Sequence, residues 1–300
     1  MISHKKSLIA WLGLISLTLC STVSFGADVK VPRTVILVDK KTHNLYLANY
    51  RDEGYEILKT YKATLGKVKG DKEDEGDLKT PEGIYPLTQY LTPPTLKPKF
   101  GIMAFYVGYP NFFDKMAGYT GNDIMLHATD NPERLKKAFD SEGCIVLRNE
   151  ELQELRPFIK VNLTPILIFS ELTEEFKKPT GDQALIDFFN RWIHAWETKE
   201  ISQYIDSYHS EFEQDGKNKE QWRDYKNTLN LKYSRIEVKP EKVQYFRHPK
   251  YSMIQFVQNY KSYLAHGRPG HVSRGTKSIW VAEEDGKMKI IAEDFTQSTW

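Results

Sequence analysis

Two residues of this 300-residue chain have the types and the spacing that nucleophilic catalysis by a cysteine needs. Cys144 belongs to the run Ser-Glu-Gly-Cys-Ile at 141–145, and His127 precedes it with sixteen residues between them. A cysteine attacks a carbonyl as its thiolate, so it needs a base or a positive environment. We therefore interpret Cys144 as a candidate nucleophile and His127 as its base. The alternatives are a packed thiol and a histidine bonded to a backbone carbonyl.

The residues around this pair predict how the chain brings them together. The segment 123–126 predicts a strand that delivers His127 at its end, and 131–139 predicts a short helix that returns the chain to Cys144. Gly143 permits a tight turn beside the nucleophile and exposes backbone N–H groups that could form an oxyanion hole. We therefore expect the pair to face each other.

The N-terminal half is predicted to be mainly β structure. Runs rich in β-branched and aromatic residues predict strands at 34–38, 44–47, 55–61 and 164–169. A second short helix is predicted at 150–158, and the glycines and charges of 66–83 predict a solvated loop. The polar stretch 171–182 predicts a domain boundary.

The C-terminal half opens with aromatic residues at helical spacing. They predict helices over 185–208 and 222–229, and strands follow at 236–238, 243–246, 252–260, 277–283 and 287–291. Helices followed by antiparallel strands predict an α+β domain. The aromatic stripe is typical of a core, so we expect it to pack inside this domain.

The first residues have the composition of an export signal. Lys5 and Lys6 precede the apolar run 8–23, and small residues stand before Ala27, which predicts a secretory signal over 1–26. An uncleaved membrane anchor and lipidation at Cys20 are the alternatives. Removal of the signal leaves Cys144 as the one cysteine. An unpaired thiol is a liability in an oxidising compartment unless chemistry uses it.

The charge balance argues against nucleic-acid binding. The chain has 42 basic and 40 acidic residues, and the predicted signal carries two lysines and no acid, so the mature chain is expected to be neutral. No run after the signal is long enough to form a stable membrane span. We expect a soluble exported protein with domains at 27–175 and 176–300.

Two motifs resemble the L,D-transpeptidase catalytic-domain family, cysteine enzymes that act on bacterial peptidoglycan stem peptides. One is His-Ala-Thr at 127–129 followed by Ser-x-Gly-Cys-Ile at 141–145, and the other is Thr-Pro-Glu-Gly-Ile-Tyr at 80–85. The resemblance covers about 33–170 and implies a mainly β catalytic domain. It implies Cys144 as nucleophile and His127 as general base, with no cofactor and no metal.

The resemblance also implies roles for the neighbours of the pair. The carbonyl of Ala128 would orient the imidazole of His127, and Ser141 and Gly143 would shape the turn, with Ser141 beside the substrate. The thiolate would attack the carbonyl on the L-centre of the third stem residue, a diamino acid, and expel the terminal D-Ala. A thioacyl enzyme would remain.

The chain departs from the family pattern at two positions. Many members carry a second histidine where this chain has Glu142, and many carry an arginine where it has Val146. Arg148 lies two residues further on and is the candidate for binding a substrate carboxylate; the alternative is a surface ion pair.

The C-terminal half resembles a nuclear transport factor 2-like domain, a cone whose pocket could take a small ligand or a glycan. The pairing of the two domains resembles cell-shape peptidoglycan L,D-carboxypeptidases of curved and helical Gram-negative bacteria. It implies a periplasmic enzyme that trims tetrapeptide stems to tripeptides. The alternatives are an L,D-transpeptidase that cross-links the diamino acids of two stems, and a non-catalytic wall-binding protein.

Overall fold

A computed structural model describes residues 33–51, 54–177 and 183–297. The predicted export signal and the lipidation alternative at Cys20 lie outside the described residues. In these three ranges, no helix has both the length and the apolar character needed to cross a membrane.

The N-terminal domain consists of strands and short helices. Its strands are β1 (Thr34–Asp39), β2 (Asn44–Arg51), β3 (Gly54–Lys62), β4 (Leu65–Gly66), β5 (Gly83–Leu91), β6 (Ala104–Val107), β7 (Met125–His127), β8 (Phe139–Ser141), β9 (Ile145–Val146) and β10 (Pro165–Phe169). Its α-helices are α1 (Phe112–Met116) and α2 (Asn149–Leu155). Single 3₁₀ turns lie at Pro98–Phe100, Pro132–Lys136 and Arg156–Phe158.

Eight of these strands form one sheet in the order β3-β2-β1-β10-β5-β6-β7-β9. The central strand β1 is a continuous apolar run, and Val35 to Val38 are fully buried on both of its faces. Ile36 and Val38 pack into the core of the N-terminal domain, whereas Val35 and Leu37 face a second cluster. The sheet is therefore covered on both sides.

The segment between the two candidate catalytic residues is less helical than the sequence predicts. A strand ends at His127 as expected, but the predicted helix at 131–139 is only the 3₁₀ turn Pro132–Lys136. The chain then leaves the helical path because β8 pairs in parallel with β4, through Leu65 opposite Phe139. This pairing brings the chain back to the sheet just before Cys144.

The loop at 67–82, between β4 and β5, is exposed to solvent at 67–70 and 73–76, as predicted, but it is packed around Lys72. Lys72 is only 3% exposed, and its ammonium lies 2.9 Å from a carboxylate oxygen of Asp77. Asp77 also accepts hydrogen bonds from the backbone N–H groups of Glu73, Asp74 and Lys79. The buried charge of Lys72 is therefore compensated within the loop, which composition alone does not reveal.

The C-terminal domain places helices against an antiparallel sheet, which confirms the predicted α+β class. Its elements are α3 (Gln183–Glu197), α4 (Ile201–Asp206), β11 (Glu213–Gln214), β12 (Lys217–Asn218), α5 (Lys219–Lys232), β13 (Arg235–Arg247), β14 (Ser252–Tyr263), β15 (Pro269–Glu284) and β16 (Lys287–Gln297). The strands predicted at 236–238 and 243–246 are one strand, β13, with a register shift between Glu241 and Gln244. The aromatic stripe of α3 packs into the core, where Trp192 is fully buried.

The two domains share a buried core. Val35, Leu37 and Phe169 of the first domain pack in one cluster with Phe246 and Met253 of the second. Because these apolar side chains lose their exposure only when both domains are present, the contact stabilises the arrangement of the domains.

Candidate active site

Cys144 and His127 line one open cavity of about 680 Å³. They meet because β7 and β9 are parallel neighbours, with Leu126 opposite Ile145 and His127 opposite Val146. Cys144 lies two residues before Val146, so it falls on the same face of the sheet as His127. The pairing of β7 with β9 thus places the side chains of Cys144 and His127 in the wall of one cavity.

His127 is held as a neutral imidazole. The side chain is 2% exposed, Nδ1 contacts the carbonyl oxygen of Ala128, and the ring of Phe100 lies edge-on at 4.9 Å. Since a carbonyl can only accept, Nδ1 carries the proton and Nε2 keeps its lone pair. Burial lowers the pKa of His127 to about 4, and the positive charges of Arg134 and Lys99 act in the same direction. The ring can therefore accept a proton at neutral pH.

Cys144 is held as a thiol. Its sulfur donates a weak hydrogen bond to the carbonyl of Asp123 at 3.7 Å. Burial raises the pKa of the Cys144 thiol, while a backbone hydrogen bond from Met125 and the charges of Arg134 and Lys99 oppose the rise. A neutral thiol and a neutral imidazole in one cavity would favour transfer of the proton as the sulfur attacks, rather than beforehand.

Ser141 shapes the turn that carries the nucleophile. It is 1% exposed, and its hydroxyl donates to the carbonyl of Cys144 at 2.6 Å and accepts from the N–H of Gly143 at 3.2 Å. The N–H of Gly143 is therefore already bonded to Ser141. It is not free to donate to an oxyanion, contrary to the expectation from the sequence. Ser141 contributes to the wall of the cavity, but its hydrogen bonds serve the turn.

Gly143 cannot be replaced without strain. Its φ of 122° lies in the region that favours glycine, and a Cβ at this position would lie 2.7 Å from the carbonyl oxygen of Lys79. The backbone of the loop at 67–82 thus packs directly against the turn that carries Cys144.

The arginine at the cavity is Arg134, not the predicted Arg148. Arg148 caps the start of α2, and its side chain is 60% exposed and lies 4.0 Å from Glu151. Arg134 lines the cavity, where its Nε donates to Asp140 at 3.0 Å and its Nη2 to the Asp140 carbonyl at 3.2 Å. Sequence reasoning missed Arg134, although a basic residue between the histidine and cysteine motifs was an available signal.

The cavity is richer in positive than in negative side chains. Its wall contains the cations Lys67, Lys97, Lys99 and Arg134 and the acids Asp123, Asp140 and Glu142. Asp140 is already paired with Arg134, and Glu142 is exposed beside the nucleophile. An excess of positive charge favours an anionic ligand, such as a peptide that carries carboxylates. Among the residues of the three described ranges, no cluster of His, Cys, Asp and Glu is arranged to hold a metal ion.

We expect the alkylation of Cys144 by iodoacetamide to keep accelerating with pH beyond the range in which an ordinary cysteine thiol ionises, because burial raises the pKa of this thiol. His127→Ala should slow the reaction near neutral pH, since it removes the base that accepts the thiol proton. The rate constants of both proteins over a pH series test this. A rate plateau at acidic pH would indicate a preformed thiolate–imidazolium pair and contradict the assignment, as would equal rates in the two proteins.

The C-terminal domain contains its own group of charged side chains, away from the cavity of Cys144. Lys277 pairs with Glu293, whose carboxylate also accepts a hydrogen bond from Tyr208. The Lys226 ammonium lies 4.4 Å from the ring of Trp196, and burial lowers the pKa of this lysine to about 8. The binding of a small ligand or glycan in this domain stays a prediction.

Both domains match known family models. The model of the L,D-transpeptidase catalytic domain matches residues 33–168, and that of the Cds6 C-terminal NTF2-like domain matches 184–294. An Escherichia coli K12 protein named as an L,D-transpeptidase, YafK, is 28% identical over 137 residues. The match covers 45% of this chain and 48% of YafK, so the chain spans about half the length of this curated relative.

Two solved structures match along both domains. The helical cell shape determining protein Pgp2 of Campylobacter jejuni is 26% identical with a TM-score of 0.65, and the match covers 87% of this chain and 91% of Pgp2. Bd1075 of Bdellovibrio bacteriovorus is 32% identical with a TM-score of 0.72, and the match covers 89% of this chain and 93% of Bd1075. The chain therefore belongs to the same family as Bd1075, with an L,D-transpeptidase catalytic domain followed by an NTF2-like domain.

Proposed function

We propose that the protein is a periplasmic peptidoglycan L,D-carboxypeptidase that removes the terminal D-Ala from tetrapeptide stems. The observation that carries the proposal is the shared cavity of Cys144 and His127 inside an L,D-transpeptidase catalytic domain. The likeness to Pgp2, named as a determinant of helical cell shape, supports a role in cell shape. The predicted export signal supports the periplasm.

The reaction follows from the protonation states of the two residues. As Sγ of Cys144 attacks the carbonyl on the L-centre of the diamino acid, Nε2 of His127 takes the thiol proton. The tetrahedral intermediate collapses, the C–N bond to D-Ala breaks, and the imidazolium donates its proton to the leaving amine. Water, deprotonated by the same imidazole, then attacks the thioester and releases the tripeptide stem and the free thiol.

A transpeptidase differs from this only in the last step. If the side-chain amine of a second stem attacks the thioester in place of water, the product is a direct cross-link between two diamino acids. The open cavity of about 680 Å³ leaves room for such an acceptor, so we keep this as the second candidate. A non-catalytic wall-binding protein is disfavoured because the structure keeps both Cys144 and His127 in one cavity.

Product analysis distinguishes the candidates. The mature protein and its Cys144→Ala variant are incubated with disaccharide tetrapeptides, and the products are resolved by mass. Cysteine-dependent tripeptide and free D-Ala support the carboxypeptidase. Dimers joined through two diamino acids support the transpeptidase instead, and no cysteine-dependent product at all contradicts both.

We also propose that Arg134 binds a carboxylate of the stem peptide. Asp140 fixes its guanidinium through Nε and Nη2, which leaves Nη1 for a ligand at the cavity wall. Arg134→Ala should lower kcat/KM by roughly 10- to 100-fold, since hydrogen bonds to charged groups contribute about 1.5–3 kcal/mol.

Arg148→Ala is the matched control because Arg148 is exposed outside the cavity. Its kcat/KM should equal that of the wild type. If Arg148→Ala loses activity and Arg134→Ala does not, the assignment of the carboxylate to Arg134 is wrong.

A further inference from the structure

Three side chains of the turn between β13 and β14 contact the catalytic domain. It spans residues 248–251 and is closed by a hydrogen bond from the N–H of His248 to the carbonyl of Tyr251 at 3.0 Å. Nε2 of His248 bonds the carbonyl of Ile168 at 3.0 Å. Lys250 and Tyr251 reach further along the same domain, to the base of the loop at 67–82 and the strand after it.

Lys250 closes the base of that loop. Its ammonium donates to the carbonyl of Glu82 at 2.8 Å and forms an ion pair with Oδ2 of Asp71. The other oxygen of Asp71 accepts the N–H of Glu82 at 2.7 Å. Lys250 of the C-terminal domain thus bridges Asp71 and Glu82. It reinforces a bridge within the N-terminal domain, where the ammonium of Lys40 donates to the carbonyls of Gly70 and Thr80.

Tyr251 fixes β5, the strand that follows the loop at 67–82. Its hydroxyl accepts from the N–H of Ile84 at 2.8 Å and from the amide of Asn111 at 2.5 Å, and it donates to the carbonyl of Ile84 at 3.2 Å. The ring stacks on Phe113 with centroids 4.0 Å apart and planes 4° from parallel. The start of β5 is therefore anchored to the C-terminal domain.

The other side of the loop touches the catalytic turn. The hydroxyl of Thr80 accepts the N–H of Gly66 at 2.9 Å, and Gly66 pairs with Ser141 across β4 and β8. A Cβ at Gly66 would lie 2.3 Å from the carbonyl of Leu78, and one at Gly143 would lie 2.7 Å from that of Lys79. The backbone at 78–80 thus packs on both glycines without a gap.

We propose that the C-terminal domain holds the catalytic turn at 141–144 in its working shape through the loop at 67–82, with Lys250 and Tyr251 as positioning residues. Lys250 contacts Asp71 and Glu82, and the backbone leads from Glu82 back to Lys79, whose carbonyl packs against Gly143. Neither positioning residue lines the cavity of Cys144, so they act on the turn and not on the substrate. The expected loss of activity rests on the proposed function. The structural link between the C-terminal domain and the turn at 141–144 does not.

Hydrogen exchange and kinetics on the full mature chain test the proposal. In Lys250→Ala, peptides covering 67–82 and 141–146 should both exchange faster than in the wild type. Stem trimming should lose about tenfold in kcat with KM unchanged, because small displacements of a nucleophile are costly while the cavity wall stays in place. Lys250→Arg should restore both properties, since a guanidinium can also bond a carboxylate and a carbonyl.

Two further variants keep the test decisive. Lys239→Ala removes an exposed lysine of the same domain and should behave as the wild type. If Lys250→Ala fails to fold, Asp71→Asn removes the ion pair but keeps an oxygen for the N–H of Glu82, and the same two effects are expected.

Faster exchange at 67–82 with wild-type exchange at 141–146 and unchanged kcat would overturn the proposal, as would wild-type exchange in both segments. If the wild type trims no stems at all, the proposed function fails, and the exchange data still decide whether the two segments are coupled.

Discussion

Cys144→Ala should reduce the trimming of tetrapeptide stems by at least roughly ten-thousand-fold while the protein stays folded. Without the sulfur no thioacyl enzyme can form, so the loss follows from the chemistry and not from the fold. The side chain is half-buried, and its sulfur makes a long contact of 3.7 Å with the carbonyl of Asp123. Free D-Ala released per enzyme and the midpoint of thermal unfolding measure the two quantities.

Cys144→Ser is the matched control for this prediction. It keeps a hydroxyl at the position of the thiol, but an alcohol is a much weaker acid and a poorer nucleophile than a thiol, and its oxygen lies on a shorter bond than the sulfur. We therefore expect it to be as inactive as Cys144→Ala. Substantial turnover in either variant would show that Cys144 is not the nucleophile.

Gly143→Ala should have the second largest effect, on activity and stability together. An alanine there keeps a φ of 122° only under strain, and its Cβ would lie 2.7 Å from the Lys79 carbonyl and 2.9 Å from a methyl group of Ile124. Backbone strain and overpacking together should lower the free energy of unfolding by about 2–4 kcal/mol. The shifted turn should lower kcat/KM by about 100-fold.

Gly118→Ala separates the effect of backbone strain from the effect of overpacking. Gly118 also has a positive φ, 78°, but a Cβ there would meet nothing within 4 Å. We expect it to lose about 1 kcal/mol of stability and no activity. Denaturant unfolding and kinetics on both variants provide the comparison. If Gly143→Ala loses no more stability and activity than Gly118→Ala, the close packing of Lys79 against the turn does not affect function.

The sequence predicts the strands and the candidate catalytic pair because their signals are local. β-branched runs identify β1 and β10, and the spacing of His127 and Cys144 requires a strand end and a return. The return itself is shorter and less helical than predicted. Residues after Lys136 pair with β4, a partner some seventy positions earlier, and such pairing has no local signal.

The electrostatics of the site could not be predicted from local patterns. Arg134 and Lys99 act on both Cys144 and His127, but they come from different segments that meet only in the folded domain. The burial of one charge in the loop at 67–82 could not be predicted for the same reason. Its buried lysine, Lys72, is compensated by Asp77 and by packing that composition does not show.

The central claim is that Cys144 carries the acyl group of the stem, and trapping that intermediate tests it most directly. The wild-type protein is mixed with a disaccharide tetrapeptide, quenched in acid within the first turnovers, digested and mapped by mass. The account predicts an added mass equal to the disaccharide tripeptide acyl group on the peptide that contains Cys144, and none in Cys144→Ala. Stem trimming that proceeds without this adduct, or an adduct on another residue, would contradict it.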